Sequence, residues 1–223
     1  MEVKILGIGP SAPVIALTGS IAIAVAGALR YVFVTYLGDA TALGSMNWLD
    51  INVEQSVATW WTSMMWAALA AYLFSAGVST GRNMWLVLAS GALLLSLDEI
   101  IMIHESIGHS IAPFFDGASG VWASKWVIVG VPAVVASLLA LLPFVRSLPR
   151  RTAVGLVASG VVFVTGAVGC EMLFSAAVTE WAWPDWLILT LIVAEETLEM
   201  LGVALAIAVI AAYLHSDQAA LTD

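Results

Sequence analysis

The sequence predicts an all-α membrane protein: a bundle of six transmembrane helices with both termini in the cytoplasm. Three observations carry this expectation. The 223 residues are 61% hydrophobic and 10% charged, where a soluble domain carries about 25% charged residues. Six apolar runs are each long enough to cross a ~30 Å hydrocarbon core, which needs about 20 helical residues. The few basic residues, finally, segregate to one side of those runs.

Taken in order, the runs are residues 12–37, 58–78, 84–107, 121–145, 153–178 and 186–214, within a single integral membrane domain over 1–223. The first is far longer than the core of a signal peptide, about 7–15 residues, and Met1 to Pro10 lacks a strongly basic leader, so a retained helix is expected. Ahead of the second, Asn52 and Gln55 form a candidate capping box, and Glu54 suits the positive end of the helix dipole. The third carries Asp98, Glu99, His104 and Glu105, with His109 just beyond. The fourth holds Pro132 and Pro143 and no acid, the fifth holds Cys170 and Glu171, and the sixth holds Glu195, Glu196 and Glu199. There is no internal repeat, low-complexity segment or soluble domain.

Lys4, Arg82, Arg146, Arg150 and Arg151 fall on the N-terminal side of the membrane, Lys125 on the other, and Arg30 within the first helix. The positive-inside rule places that side in the cytoplasm. Opposite loops carry Asp39, Asp50, Glu54, Asp116, Glu180 and Asp185, and nine of the ten Trp lie near that face as an interfacial belt. A single cysteine excludes an intramolecular disulfide. The net charge of -9 argues against nucleic acid as a partner, because neutralising phosphates takes Lys and Arg.

Seven carboxylates inside the runs mark a site: Asp98, Glu99, Glu105, Glu171, Glu195, Glu196 and Glu199. Each costs about 2.5–3.5 kcal/mol at the middle of an isolated membrane helix. At 1.5 Å per residue, Asp98 lies about 21 Å up the third helix and the sixth-helix acids about 14–20 Å below the opposite edge. All therefore share the outer half of the bilayer. On a straight third helix Asp98, Glu105 and His109 fall within about 40° of one another, and polar groups over much of the circumference predict a central helix. His104 and His109 point about 140° apart, so they could share an ion only if Gly108 broke the helix.

One intramembrane Arg cannot balance seven acids, which leaves metal ions, shared protons or a water-filled vestibule. Carboxylates with a few imidazoles suit iron, manganese or zinc better than copper(I). The candidate ligands are Asp98, Glu99, His104, Glu105, His109, Glu171, Glu195, Glu196 and Glu199, with Arg30 and Glu54 as supporting or charge-balancing groups. The Glu-x-x-His pairs of di-iron bundles are absent, so a ferritin-like assignment does not transfer. Plainer readings stand beside these: a histidine held by a hydrogen bond, solvated Glu105 and His109 at the membrane edge, and Cys170, Met102, Met172 and Met200 as packing.

Leu97-Asp98-Glu99 followed by His104-Glu105, Glu54 before a Trp-rich second helix, and Glu195-Glu196-Thr197-Leu198-Glu199-Met200-Leu201-Gly202 together resemble an uncharacterised family of bacterial multi-pass inner-membrane proteins. The resemblance implies a bacterial inner-membrane location and makes these acids the family's defining positions. It implies no activity.

The leading expectation is an intramembrane carboxylate/histidine site that binds a divalent metal and acts on a lipid-like or small apolar substrate, by oxidation or hydrolysis. A second is a proton- or cation-coupled transporter or channel, against which stand the missing inverted repeat and few ionisable residues below Asp98. A third is an accessory subunit. Small residues on the second and fifth helices allow close contact within or between chains, so a homo-oligomer or larger membrane complex is open.

Overall fold

The computed structural model describes residues 11–37 and 46–222, with side chains to residue 216. Asp39 and the stretch Met1 to Pro10, with Lys4, lie outside the described residues. Seven helices and no strand are found among those described: α1 (Ala12–Leu37), α2 (Val57–Thr80), α3 (Asn83–Ile101), α4 (Ile103–Ile111), α5 (Val127–Arg146), α6 (Arg150–Trp181) and α7 (Asp185–Thr222). All but α4 are long and apolar enough to cross a membrane. The six expected runs are therefore present, and α5 begins six residues later than its apolar run.

Two features at helix ends depart from the sequence reading. The N-cap of α2 is Ser56, whose Oγ accepts the Thr59 N–H at 3.3 Å, while Asn52 and Gln55 are exposed. A hydroxyl one residue before the helix satisfies an orphan N–H directly, which leaves Glu54 without a capping task. The third run is also not one helix to residue 107. It breaks at Met102, in the left-handed region at φ 53°, ψ 54°, and restarts as α4. Gly108 does not break the chain: it lies inside α4, where a Cβ would come within 3.0 Å of the Trp126 backbone nitrogen.

Asp98 accounts for the break. Its carbonyl accepts the Met102 N–H at 2.7 Å, closing α3, and its Oδ1 accepts the His104 N–H at 2.8 Å, capping the first turn of α4. Left-handed backbone costs a non-glycine residue about 1–2 kcal/mol, and a side-chain cap returns about 1 kcal/mol.

The central helix is α7, not α3. Met200, Val203, Ile207 and Ile210 form a buried stripe at helical spacing, and α7 packs on α1, α2 and α6. The α6/α7 contact is close because Gly166 and Gly202 present no Cβ: one on Gly166 would lie 2.8 Å from the Glu195 carbonyl oxygen, and one on Gly202 2.7 Å from the Phe163 backbone nitrogen. Helix α3 is a hairpin partner of α2, joined at mid-depth by Ser63 and Ser96, each hydroxyl donating to the other's carbonyl at 2.8 and 2.9 Å. At its start Trp85 packs on Phe144 of α5 and Tyr213 of α7, and at its end Asp98 and Glu99 face a cavity.

Candidate metal centre

Every candidate ligand named from the sequence lines one cavity of about 890 Å³. Helix α3 contributes Asp98 and Glu99, α4 contributes His104, Glu105 and His109, α6 contributes Glu171, and α7 contributes Glu195, Glu196 and Glu199. Glu54 joins them from the segment ahead of α2. Burial grades across the group: His109 is exposed, and the others are half-buried.

Within this wall one group is close enough to share an ion. Glu54, His104 and Glu105 each offer a ligand atom, all within 4.8 Å of one another. The break at Met102 makes this possible, since it redirects α4 and carries His104 and Glu105 together toward Glu54. His104 is also oriented. Its Nδ1 lies 2.9 Å from Asp98 Oδ2 while its backbone N–H binds Oδ1 of the same carboxylate. A carboxylate accepts, so Nδ1 carries the proton, and in the neutral ring Nε2 is the nitrogen that keeps a lone pair able to ligate. A carboxylate behind an imidazole is the usual support of a metal-binding histidine. The ring also packs edge-on to Trp126, with centroids 5.1 Å apart.

Electrostatics bind these groups into one unit. Burial pushes the Glu54 carboxyl above the ordinary range, Glu105, Asp98 and Glu171 add to the rise, and His104 opposes it. For His104, burial acts to lower the pKa, but the hydrogen bond and charge of Asp98, with the charges of Glu54 and Glu105, outweigh it and leave it raised.

The remaining candidates are placed differently. Asp98 has both oxygens committed to His104. Glu99, Glu196 and Glu199 interact electrostatically with one another deeper in the cavity, and Glu195 faces Glu171. Arg30 does not line the cavity. It is buried against the 46–50 segment, where Nη1 pairs with Asp50 at 2.6 Å, Nε donates to the Met46 carbonyl at 3.1 Å and Nη2 to Asn47 Oδ1 at 3.3 Å. Its charge thus anchors the loop that leads to Glu54. Glu54 itself was given only a supporting part by the sequence, and the available signal was Ser56, a better cap that leaves the acid free.

The donor set is chemically coherent. One imidazole and two carboxylates suit iron, manganese or zinc, and three protein ligands leave coordination positions for water or a substrate.

A family model described as a domain of unknown function, DUF8692, matches residues 14–215. The chain belongs to this family. The matched span contains every cavity acid and both histidines, so the DUF8692 region includes the whole candidate centre. No curated protein and no solved structure matches the chain.

Proposed function

We propose that this DUF8692 protein is a multi-pass membrane metalloprotein that holds one divalent ion of iron, manganese or zinc between Glu54, His104 and Glu105, with Asp98 fixing the imidazole. The observation that carries the reading is the convergence of the three ligand atoms within 4.8 Å from two separate segments, together with the two-point grip of Asp98 on His104. The deeper acids Glu99, Glu171, Glu195, Glu196 and Glu199 act as a polar wall that holds water and protons beside the ion. An ion with open positions in such a wall supports metal-dependent hydrolysis or oxidation, by polarising a bound water or substrate oxygen. Sidedness is part of the proposal: Arg82, Arg146, Arg150 and Arg151 at the opposite end support a cytoplasmic placement for that end and a periplasmic-side centre in a bacterial inner membrane.

Elemental analysis of chelator-free protein tests this. Wild type should carry about one ion per chain, Glu54→Gln and Glu105→Gln should lose it, and Glu196→Gln should keep it. Full metal content in both of the first two variants, with loss in Glu196→Gln, would move the centre to α7. Metal-free wild type that also takes up none of the three ions would end the metal reading.

A further inference from the structure

The cavity is amphipathic. Its ionisable lining runs from Glu54, Glu105 and His109 down to Glu199, and its apolar lining is made by Leu94, Leu95, Leu138, Leu141, Phe163 and Val164. One whole face of α5 contributes, at positions 130, 133, 134, 137, 138 and 141, so the cavity extends about 17 Å along that helix. Depth matters here: Leu94 lies eleven residues into α3 and Leu138 eleven residues into α5, near the middle of the hydrocarbon layer.

Helix α5 is held at its ends. Val127 is fully buried at one, and Phe144 packs edge-on to Trp85 at the other, with the Arg82 guanidinium 4.8 Å from the Phe144 ring centre. Between them Leu138 is 64% exposed, and Leu94 of α3, which lines the same cavity, is 59% exposed. A second recess of about 290 Å³ lies in the same seam, lined by apolar residues apart from Trp126 and the pair Asp98 and His104, and it shares seven residues with the main cavity. At this depth an opening between α3 and α5 meets acyl chains, not water.

We infer that this seam is a lateral opening through which an uncharged, single-chain amphiphile of the long-chain alcohol type enters from the bilayer, tail along α5 and polar head at the Asp98–His104 end. The inference names the substrate class of the proposed centre and rests on that reading only for what the head meets there. Tail selection follows from the cavity face of α5, about 17 Å long and apolar apart from Ser137, in a cavity of small-molecule size. Head selection follows from the lining. Eight carboxylates and a single lysine, Lys125, line the cavity, so even with the deeper acids protonated an anionic head meets mostly acceptor oxygens, while a hydroxyl can donate to them.

The test is photolabelling of the full chain in lipid nanodiscs with diazirine-bearing hexadecanol, against diazirine-bearing palmitate, with metal content measured on the same samples. The alcohol should label the cavity faces of α3 and α5 in preference to the lipid-facing side of α1, and palmitate should show no such preference. Ala133→Trp and Leu138→Trp, both at exposed positions on the seam, should abolish the preference while metal content is retained. Leu17→Trp on α1 should change neither. Equal labelling of α1 and the cavity, persistence of the preference in both seam variants, or equal preference by palmitate would overturn the inference. If the seam variants fail to fold, excess unlabelled hexadecanol must suppress cavity labelling without suppressing that of α1, and failure to do so overturns it as well. Wild type that takes up none of the three ions and still labels selectively would remove the metal reading and leave the lateral opening standing.

Discussion

Asp98 grips His104 at two points, Oδ1 on the backbone N–H at 2.8 Å and Oδ2 on Nδ1 at 2.9 Å. The first bond builds the start of α4 and the second sets the imidazole tautomer, so one carboxylate couples a helix break to ligand geometry. Asp98→Asn separates the two. The amide oxygen still caps the backbone, but the amide nitrogen no longer accepts from Nδ1–H. Metal affinity should fall about 10–100-fold with the fold intact, as read by calorimetric titration beside a thermal melt. Asp98→Ala should lose about a further 1 kcal/mol of stability with the cap. Unchanged affinity in Asp98→Asn would mean that His104 is not a ligand.

Acidification should release the ion early. Both Glu54 and His104 have raised pKa values, and the protonated form of each is the one that cannot ligate. As pH falls, protons therefore compete from above the ordinary histidine value of about 6.5, and affinity declines across that range. In Asp98→Asn the support for the imidazolium is gone while its burial remains, so the decline should start at lower pH. Affinity titrated over about pH 5 to 8 checks both signs; a flat profile would contradict them.

Gly166→Ala should damage α7 as well as α6. Its Cβ would stand 2.8 Å from the Glu195 carbonyl and 3.0 Å from the Glu199 N–H, contacts with backbone that no rotamer change relieves. A loss of about 1–3 kcal/mol is expected, together with displacement of Glu195 and Glu199. Thermal stability in detergent measures the first. Gly160→Ala, where nothing lies within 4 Å, should be silent and serves as the control.

Met102 offers a backbone test of the α3/α4 break. Met102→Gly removes the steric cost of φ 53° and should be neutral to mildly stabilising, with metal content unchanged. Met102→Ile places a β-branched residue in the left-handed region and should lower both stability and metal content. Loss of metal in the glycine variant alone would assign Met102 a role of its own in the centre.

Much of this protein is determined by local sequence. Apolar run length set the six membrane helices, because lipid leaves the backbone no other way to satisfy its hydrogen bonds. Acids in those runs located the cavity, since an uncompensated carboxylate in hydrocarbon is too costly to be incidental. Rise per residue put these acids at a common level, and they line one cavity. Which of the acids converge was not legible in the sequence, because convergence is set by contacts between residues distant in sequence. Ideal helical phase put Asp98, Glu105 and His109 on one stripe, whereas a single left-handed residue at Met102 instead brought His104 and Glu105 to Glu54. Arg30 looked like the partner of a membrane acid and is bound to the 46–50 loop. The open seam between α3 and α5 likewise belongs to the tertiary structure alone, since a helix face turned to lipid and one turned to an apolar cavity are composed of the same residues.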